Sequence, residues 1–402
     1  VKWPRFLSAL AYRDYRLVWT GAFLSSIGTW TQDVALGWLI HSRWDNPVYL
    51  GLRSFATEAP LITFMLVGGA VADRVDRRRI LVVSNMLQML FAAALAVLYA
   101  VGALGITPIL VIAFLTGLAQ SQSAPTYQAV ITSLVPPQQI PTAVALNSLQ
   151  FNLSRFVGPM IAGVALARAG TLACFVVNTA SFAAVIVAVS RIRMPMPAPG
   201  SHETLARSLG TGLRHVREHP VLGALTVLGA LGSLLAFPLI TYLPVLAGDV
   251  LRTGAAGYSL LLSSFGAGAI AGALATAHRG NVPGRGRILL LAMMAYGVCG
   301  AAAMAARAQA VTMALLFLAG ASMVTAFSTL TSLVQENASD ALKGRVLSIY
   351  GVAFRGGGPV GSVVAGLAVR DLGVPWVIGG YSIALVLVAA AVFIWNPRLR
   401  GL

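Results

Sequence analysis

Five ionisable residues stand out because the chain around them has little use for charge: Asp33, Arg53, Glu58, Arg155 and Arg355. Each falls within a long apolar stretch. A charge in hydrocarbon is costly, so it marks an ion pathway, a proton relay or a fixed pair. Asp33 lies about 16 residues into the first stretch, roughly 24 Å along a helix. Arg53 enters the second stretch from the opposite side, about six residues down, so the two depths coincide and an Asp33–Arg53 pair is sterically accessible. Glu58 lies deeper and precedes Pro60. A carboxylate in a partly dry cavity has a raised pKa and can load a proton at one face and release it at the other. Proton carriage by Asp33 or Glu58 and a fixed structural ion pair are both compatible with these residues.

The elements that must hold them are membrane helices. The chain has 402 residues, 57% hydrophobic and 10% charged, where a soluble domain carries about a quarter charged. A span takes about 20 apolar residues. Twelve such stretches occur, at roughly 17–41, 47–72, 79–102, 107–133, 142–167 and 171–190, then 221–247, 255–278, 286–306, 310–335, 344–369 and 373–395. The expected architecture is all-α and polytopic, with a six-helix bundle over 1–190, a polar linker over 191–220 and a second bundle over 221–402. Residues 2–16, basic and aromatic, read as a cytoplasmic lead-in to the first span and not as a cleavable signal.

The net charge is +16. The arginines sit in short runs between apolar stretches, with no basic helix or aromatic–basic interleaving, which disfavours nucleic acid as a partner. With the amino end inside, only Arg43, Arg53, Arg168, Arg252, Arg307 and Arg370 fall at the outer loops and nearby helix ends. Most others fall inside, which places both termini and the linker in the cytoplasm. Cys174 and Cys299 lie in apolar stretches and read as small buried hydrophobes. With five histidines and no ligand spacing, no metal site is expected. A glycine-rich run at 266–272 lies within a span and reads as close helix packing, not a nucleotide loop. No P-loop, H-E-x-x-H or G-x-S-x-G is present, so no enzymatic activity and no ATP-driven pump are expected.

The halves repeat. Arg155-Phe156-Val157-Gly158-Pro159 in the fifth span returns as Arg355-Gly356-Gly357-Gly358-Pro359 in the eleventh. Two six-helix halves related by an axis along the membrane normal form a transporter plan, with the binding site at their interface near the midplane.

Between the second and third spans, residues 69–81 read Gly-Ala-Val-Ala-Asp-Arg-Val-Asp-Arg-Arg-Arg-Ile-Leu. So many charges require a loop at the water face. The segment resembles the major facilitator superfamily signature G-x-L-A-D-R-x-G-R-K-x-x-L. Gly69, Ala72, Asp73, Arg74, Arg77 and Leu81 match, Arg78 is a close substitute, and Asp76 replaces the usual glycine. The resemblance covers essentially the whole chain and implies the major facilitator fold. It extends to the bacterial group that includes the enterobactin exporter and the macrolide efflux proteins, through Arg13-Asp14-Tyr15-Arg16, Ser26-Ile27-Gly28-Thr29-Trp30 and Leu146-Asn147-Ser148.

That resemblance implies roles. Gly69, Asp73, Arg74, Arg77 and Arg78 would latch the halves on the cytoplasmic side. Gly158 and Pro159, followed by Ala162-Gly163, look like the fifth-helix motif of antiporters, duplicated at Gly358 and Pro359. Residues on the first, fourth, seventh and tenth helices would line the central cavity: Trp30, Gln32, Gln120, Tyr127, Phe237, Tyr242, Thr325 and Gln335. A mostly apolar pocket with a few polar groups suits an amphipathic compound. The implied protein is a monomeric secondary transporter of a bacterial-type inner membrane. It would use the proton gradient, with no cofactor, to export a small organic molecule such as a drug or siderophore-like metabolite by alternating access. A lipid or lysolipid flippase and an uptake symporter are alternatives of the same fold. A non-transporting sensor or scaffold is disfavoured, since no soluble domain hangs from the chain.

Overall fold

The computed structural model describes residues 5–44, 46–72, 76–192, 205–280, 282–339 and 342–402, with the backbone alone described at 5–6, 65–72, 205–209 and 211–212. Among these residues the chain is helical and without strands. The helices are α1 (Arg13–Arg43), α2 (Val48–Ala72), α3 (Arg77–Ala100), α4 (Ile106–Ser133), α5 (Ile140–Ser190), α6 (Leu205–Glu218), α7 (Pro220–Thr241), α8 (Gly254–Arg279), α9 (Arg285–Ala305), α10 (Gln309–Asn337), α11 (Lys343–Leu372) and α12 (Val374–Trp395). A π-turn, Leu246–Val250, extends the apolar run of α7.

Nine of the described helical segments are long and apolar enough to cross a membrane. The segment containing α5 counts once but holds two spans, because Gly170 adopts φ +73° and breaks the helix. Only glycine takes that backbone region at little cost. α1 is long enough to span but less apolar, because Thr29, Thr31, Gln32 and Asp33 interrupt it, and α2 is a further helix of spanning length. With both of these and the two arms of α5, the twelve expected spans are present.

Two local details depart from the sequence reading. Asp76, which replaces the signature glycine, caps α3: its carboxylate accepts from the Arg78 amide at 2.9 Å. An acid there satisfies an orphan donor and faces the positive helix end. Arg77, Arg78 and Arg79 therefore form the first turn of α3 and not a loop. The linker also holds a helix, α6, despite its glycines and polar composition.

The chain divides into two compact units. One comprises Val1–Leu39 and Ala56–Ser201, the other Ile40–Phe55 and His202–Leu402. In the first, α3 packs on α4 and α5. Its core includes Leu81, Val130, Phe182 and Val189, and a second cluster gathers Tyr15, Val18, Ile131 and Leu146. Polar ends are spent on backbone: Tyr15 Oη donates to Ala143 O at 2.8 Å and Trp19 Nε1 to Leu146 O at 3.0 Å. In the second, α8 packs on α10, α7 on α11, and α9 on α10 and α12. Tyr296 is buried and donates to Ala236 O at 2.6 Å.

Candidate functional site

In the first unit the Gly-Pro element of α5 receives α1. A Cβ on Gly158 would collide with the Cβ of Trp30, so only glycine lets the helices approach this closely. Pro159 sits within α5 and has no N–H for the helix ladder. The Thr31 hydroxyl lies between Ile27 O at 2.8 Å and Gly158 O at 3.1 Å. One turn before Gly158, the Arg155 guanidinium carbon stands 5.3 Å from the Trp30 ring centroid. Phe151 meets the same ring edge-on at 6.4 Å. The result is a platform of one half-buried indole, one exposed phenyl ring and one half-buried cation, able to hold the face of a planar organic group or an acidic substituent.

The neighbouring polar residues tie helices together. Asn178, almost fully buried, donates to Gln32 Oε1 at 2.9 Å. Gln150, also buried, donates to Ser26 Oγ at 3.0 Å and accepts from Tyr127 Oη at 3.4 Å. Gln32 and Tyr127 thus serve joints between α1, α4 and α5. Gln120 is half-buried on α4. Gly117 of α4 takes the Thr57 carbonyl of α2, with a Cβ there only 2.8 Å from Pro60 Cγ. That contact seats the turn of α2 that carries Glu58.

The second unit repeats the plan with different residues. A Cβ on Gly358 of α11 would stand 2.5 Å from Phe237 Cδ2 of α7, and Pro359 again lies inside the helix. Phe237, Phe327 and Phe354 form a triangle with centroids 5.8, 5.7 and 5.0 Å apart. Tyr350 stacks on Phe354 at 5.7 Å, and its hydroxyl lies 3.1 Å from Thr331 Oγ1. Arg355 is exposed on α11, at the same spacing from Gly358 as Arg155 from Gly158. Tyr242 is buried and donates to Ser362 O at 2.7 Å, a strut between α7 and α11. The start of α2 docks here too, where a Cβ on Gly51 would stand 2.5 Å from Ser362 O. At the end of α1, His41 Nε2 lies 3.4 Å from Asp249 Oδ1.

At the other end of this unit, Arg285 of α9 grips Glu336 of α10 with both terminal guanidinium nitrogens, Nη1 at 2.7 Å. Ser332 joins them, 3.3 Å from Arg285 Nη1 and 3.1 Å from Glu336 Oε1. Arg285 holds the Glu336 carboxyl below the usual carboxylate range, mainly through this hydrogen bonding. A cleft beside the pair is lined by Thr276, Arg279, Thr325 and Ser328, with Thr276 donating to Thr325 at 3.4 Å. Gln335 is exposed nearby on α10.

Asp33, Arg53 and Glu58 are each half-buried and each has interaction partners. Asp33 and Glu58 belong to the first unit and Arg53 to the second. Of the expected cytoplasmic latch, Asp73 and Arg74 lie outside the described residues, and Gly69 lies where only the backbone of α2 is described. Arg77 is half-buried, and Arg78 Nη2 donates to Ser190 O at the end of α5. Asn178, Gln150, His41, Asp249 and the Arg285–Glu336 pair escaped the sequence reading. Polar residues inside or at the ends of spans are the signal that points to them, and Asn178, Gln150 and Arg285 lie outside the four helices that the resemblance assigns to the cavity.

The fold matches solved transporters at low sequence identity. A bacterial homologue of the human lysosomal transporter Spinster, inward-facing and unoccupied, aligns with TM-score 0.75 and 13% identity over 96% of this chain and 98% of that one. The nucleoside transporter NupG aligns with TM-score 0.75, also at 13% identity, over 96% of this chain and 100% of that one. The architecture is that of a major facilitator transporter. Within it, the chain belongs to the transmembrane secretion effector family, whose model matches residues 6–400. The multidrug efflux pump Tap of Mycolicibacterium fortuitum is 25% identical over 401 aligned residues, 96% of each chain. The enterobactin exporter EntS of Shigella boydii is 25% identical over 73% of this chain and 70% of its own length. The staphyloferrin A transporter of Staphylococcus aureus is 33% identical over 37% of this chain and 38% of its own.

Proposed function

We propose that the protein is a proton-coupled exporter of a small amphipathic organic molecule. The observation that carries this reading is the repeated notch. An aromatic residue of the leading helix in each half, Trp30 or Phe237, seats on a glycine of a Gly-Pro helix, Gly158 or Gly358, beside further aromatic rings. Aromatic faces bind planar apolar groups, and Arg155 and Arg355 add cations suited to acidic substituents. Its relatives include a multidrug efflux pump and an enterobactin exporter.

In the proposed cycle the cargo enters from the cytoplasm and rests between the two halves. Rocking of the halves about it then opens the chamber outward. The tight glycine contacts let paired helices move as rigid bodies, since packed interfaces switch between discrete states and do not deform continuously. Asp33 or Glu58 takes a proton when the chamber faces out and gives it up when the chamber faces in. The proton moves down its gradient as cargo moves out, with no other cofactor. Both termini and the linker lie in the cytoplasm in this reading, which the arginine bias supports, and the functional unit is the monomer.

The test is transport in proteoliposomes with an imposed pH gradient, using a macrolide and enterobactin as probes. Flux of at least one probe that collapses with a protonophore is expected. Flux that ignores the gradient would remove proton coupling, and absence of flux for both would remove this cargo class.

A further inference from the structure

The cleft at Arg279 lies beside an arginine already neutralised by Glu336. The His41–Asp249 contact belongs to the docking of 40–55 already described. The two cysteines sit alone within spans.

The helix α6 carries more. It has 14 residues and ends at Glu218, with α7 beginning at Pro220. It therefore lies at the edge of the membrane, where the chain enters its seventh span. On a 3.6-residue repeat, positions 205, 209, 213 and 216 form one apolar stripe, Leu-Leu-Leu-Val. Positions 207, 214 and 217, all arginine, fall together on the flank and back of the helix. The only acid in α6 is Glu218, and Arg214 meets it at 3.5 Å. The stripe is covered at one point and open at another: Val216 is 5% exposed and Leu213 42%. α6 packs on α7 and α11, so the protein fixes its position while leaving Leu213 uncovered. Arg214 and Arg217 are exposed.

We propose that α6 lies in the interface of the bilayer and binds the anionic headgroups of the leaflet at that end of α7. An apolar stripe flanked by arginines is what an interfacial helix needs. Charge complementarity selects the partner: three arginines against one acid suit phosphate-bearing anionic lipid, not a zwitterionic surface. The bilayer is already beside the helix, so the ordering cost is small. The inference rests on the membrane architecture and not on cargo or coupling.

The test is hydrogen exchange of the α6 amides in the full-length protein, reconstituted in phosphatidylcholine vesicles with and without phosphatidylglycerol. Exchange slower by about tenfold is expected with the anionic lipid, since each arginine near such a surface favours it about fivefold. Raising salt tenfold should erase most of the difference by screening. The triple variant Arg207→Gln, Arg214→Gln, Arg217→Gln should lose it, and the corresponding lysine variant should keep it. Equal exchange of the native protein in both lipids would overturn the proposal, as would a difference that survives both salt and charge removal. Neither outcome depends on whether transport is proton-driven.

Discussion

Trp30 and Gly158 are in contact so close that no side chain larger than hydrogen fits at position 158. Phe237 and Gly358 repeat the relationship in the second half, with ring in place of indole. The contacts differ in compliance. At Gly158 the opposing atom is a Cβ, fixed to the backbone of α1. At Gly358 the nearest atom is Cδ2 of a phenyl ring, which can turn.

This difference orders two alanine variants. Gly158→Ala should cost about 1–3 kcal/mol, the usual penalty for overpacking, and should abolish transport by prising α1 from α5. Gly358→Ala should cost less. Gly356→Ala, where a Cβ would meet nothing within 4 Å, should be near neutral. Thermal unfolding of the purified variants in one detergent gives the order.

The Arg155–Trp30 contact should couple energetically. A cation over an indole is worth about 0.5–1 kcal/mol at a partly exposed site. A double-mutant cycle with Arg155→Gln and Trp30→Leu should return a coupling of that size in cargo affinity. Additive effects would show that the two residues act separately.

Glu336 should play no part in proton coupling. Its carboxyl is held below the ordinary glutamate value by Arg285. A lowered native pKa gives stability that is present above the unfolded pKa, near 4.3, and is lost as pH falls through the lower native value. The pair is therefore constant between about pH 5.5 and 8, where transport would titrate. Glu336 is 42% exposed, so screening limits the pair to about 0.2–1 kcal/mol. Glu336→Gln should leave the pH profile of flux unmoved and lower the unfolding temperature slightly.

Gly51→Val should release the 40–55 segment from the second unit, because the opposing Ser362 oxygen is backbone and cannot yield. Faster amide exchange over 48–55, with α3 and α4 unaffected, is the expected reading.

The span count was legible because hydrocarbon thickness sets helix length. The break at Gly170 was legible for the same reason, since one uninterrupted helix from 140 to 190 is too long for a single crossing. The linker helix was not read, because Gly210 and Gly212 lower helix propensity and the surrounding polarity hides the apolar stripe. Asp76 departs from the signature glycine, and only the structure shows that its side chain is a cap. Facing directions within the spans were the least legible. A membrane helix is apolar all round, so periodicity does not tell its faces apart. Gln32 and Tyr242 looked like cavity residues from sequence, yet their polar atoms meet Asn178 and Ser362.

The central claim is exchange of cargo for protons through a carboxylate of the first half. Its most direct test is proton movement itself, read by a pH dye sealed inside proteoliposomes as a cargo gradient is imposed. Native protein should drive protons against the cargo flow, and Asp33→Asn or Glu58→Gln should abolish that proton signal while cargo binding persists. Undiminished proton flux in both variants would contradict the assignment of either carboxylate, and cargo flux with no proton signal in the native protein would contradict the account as a whole.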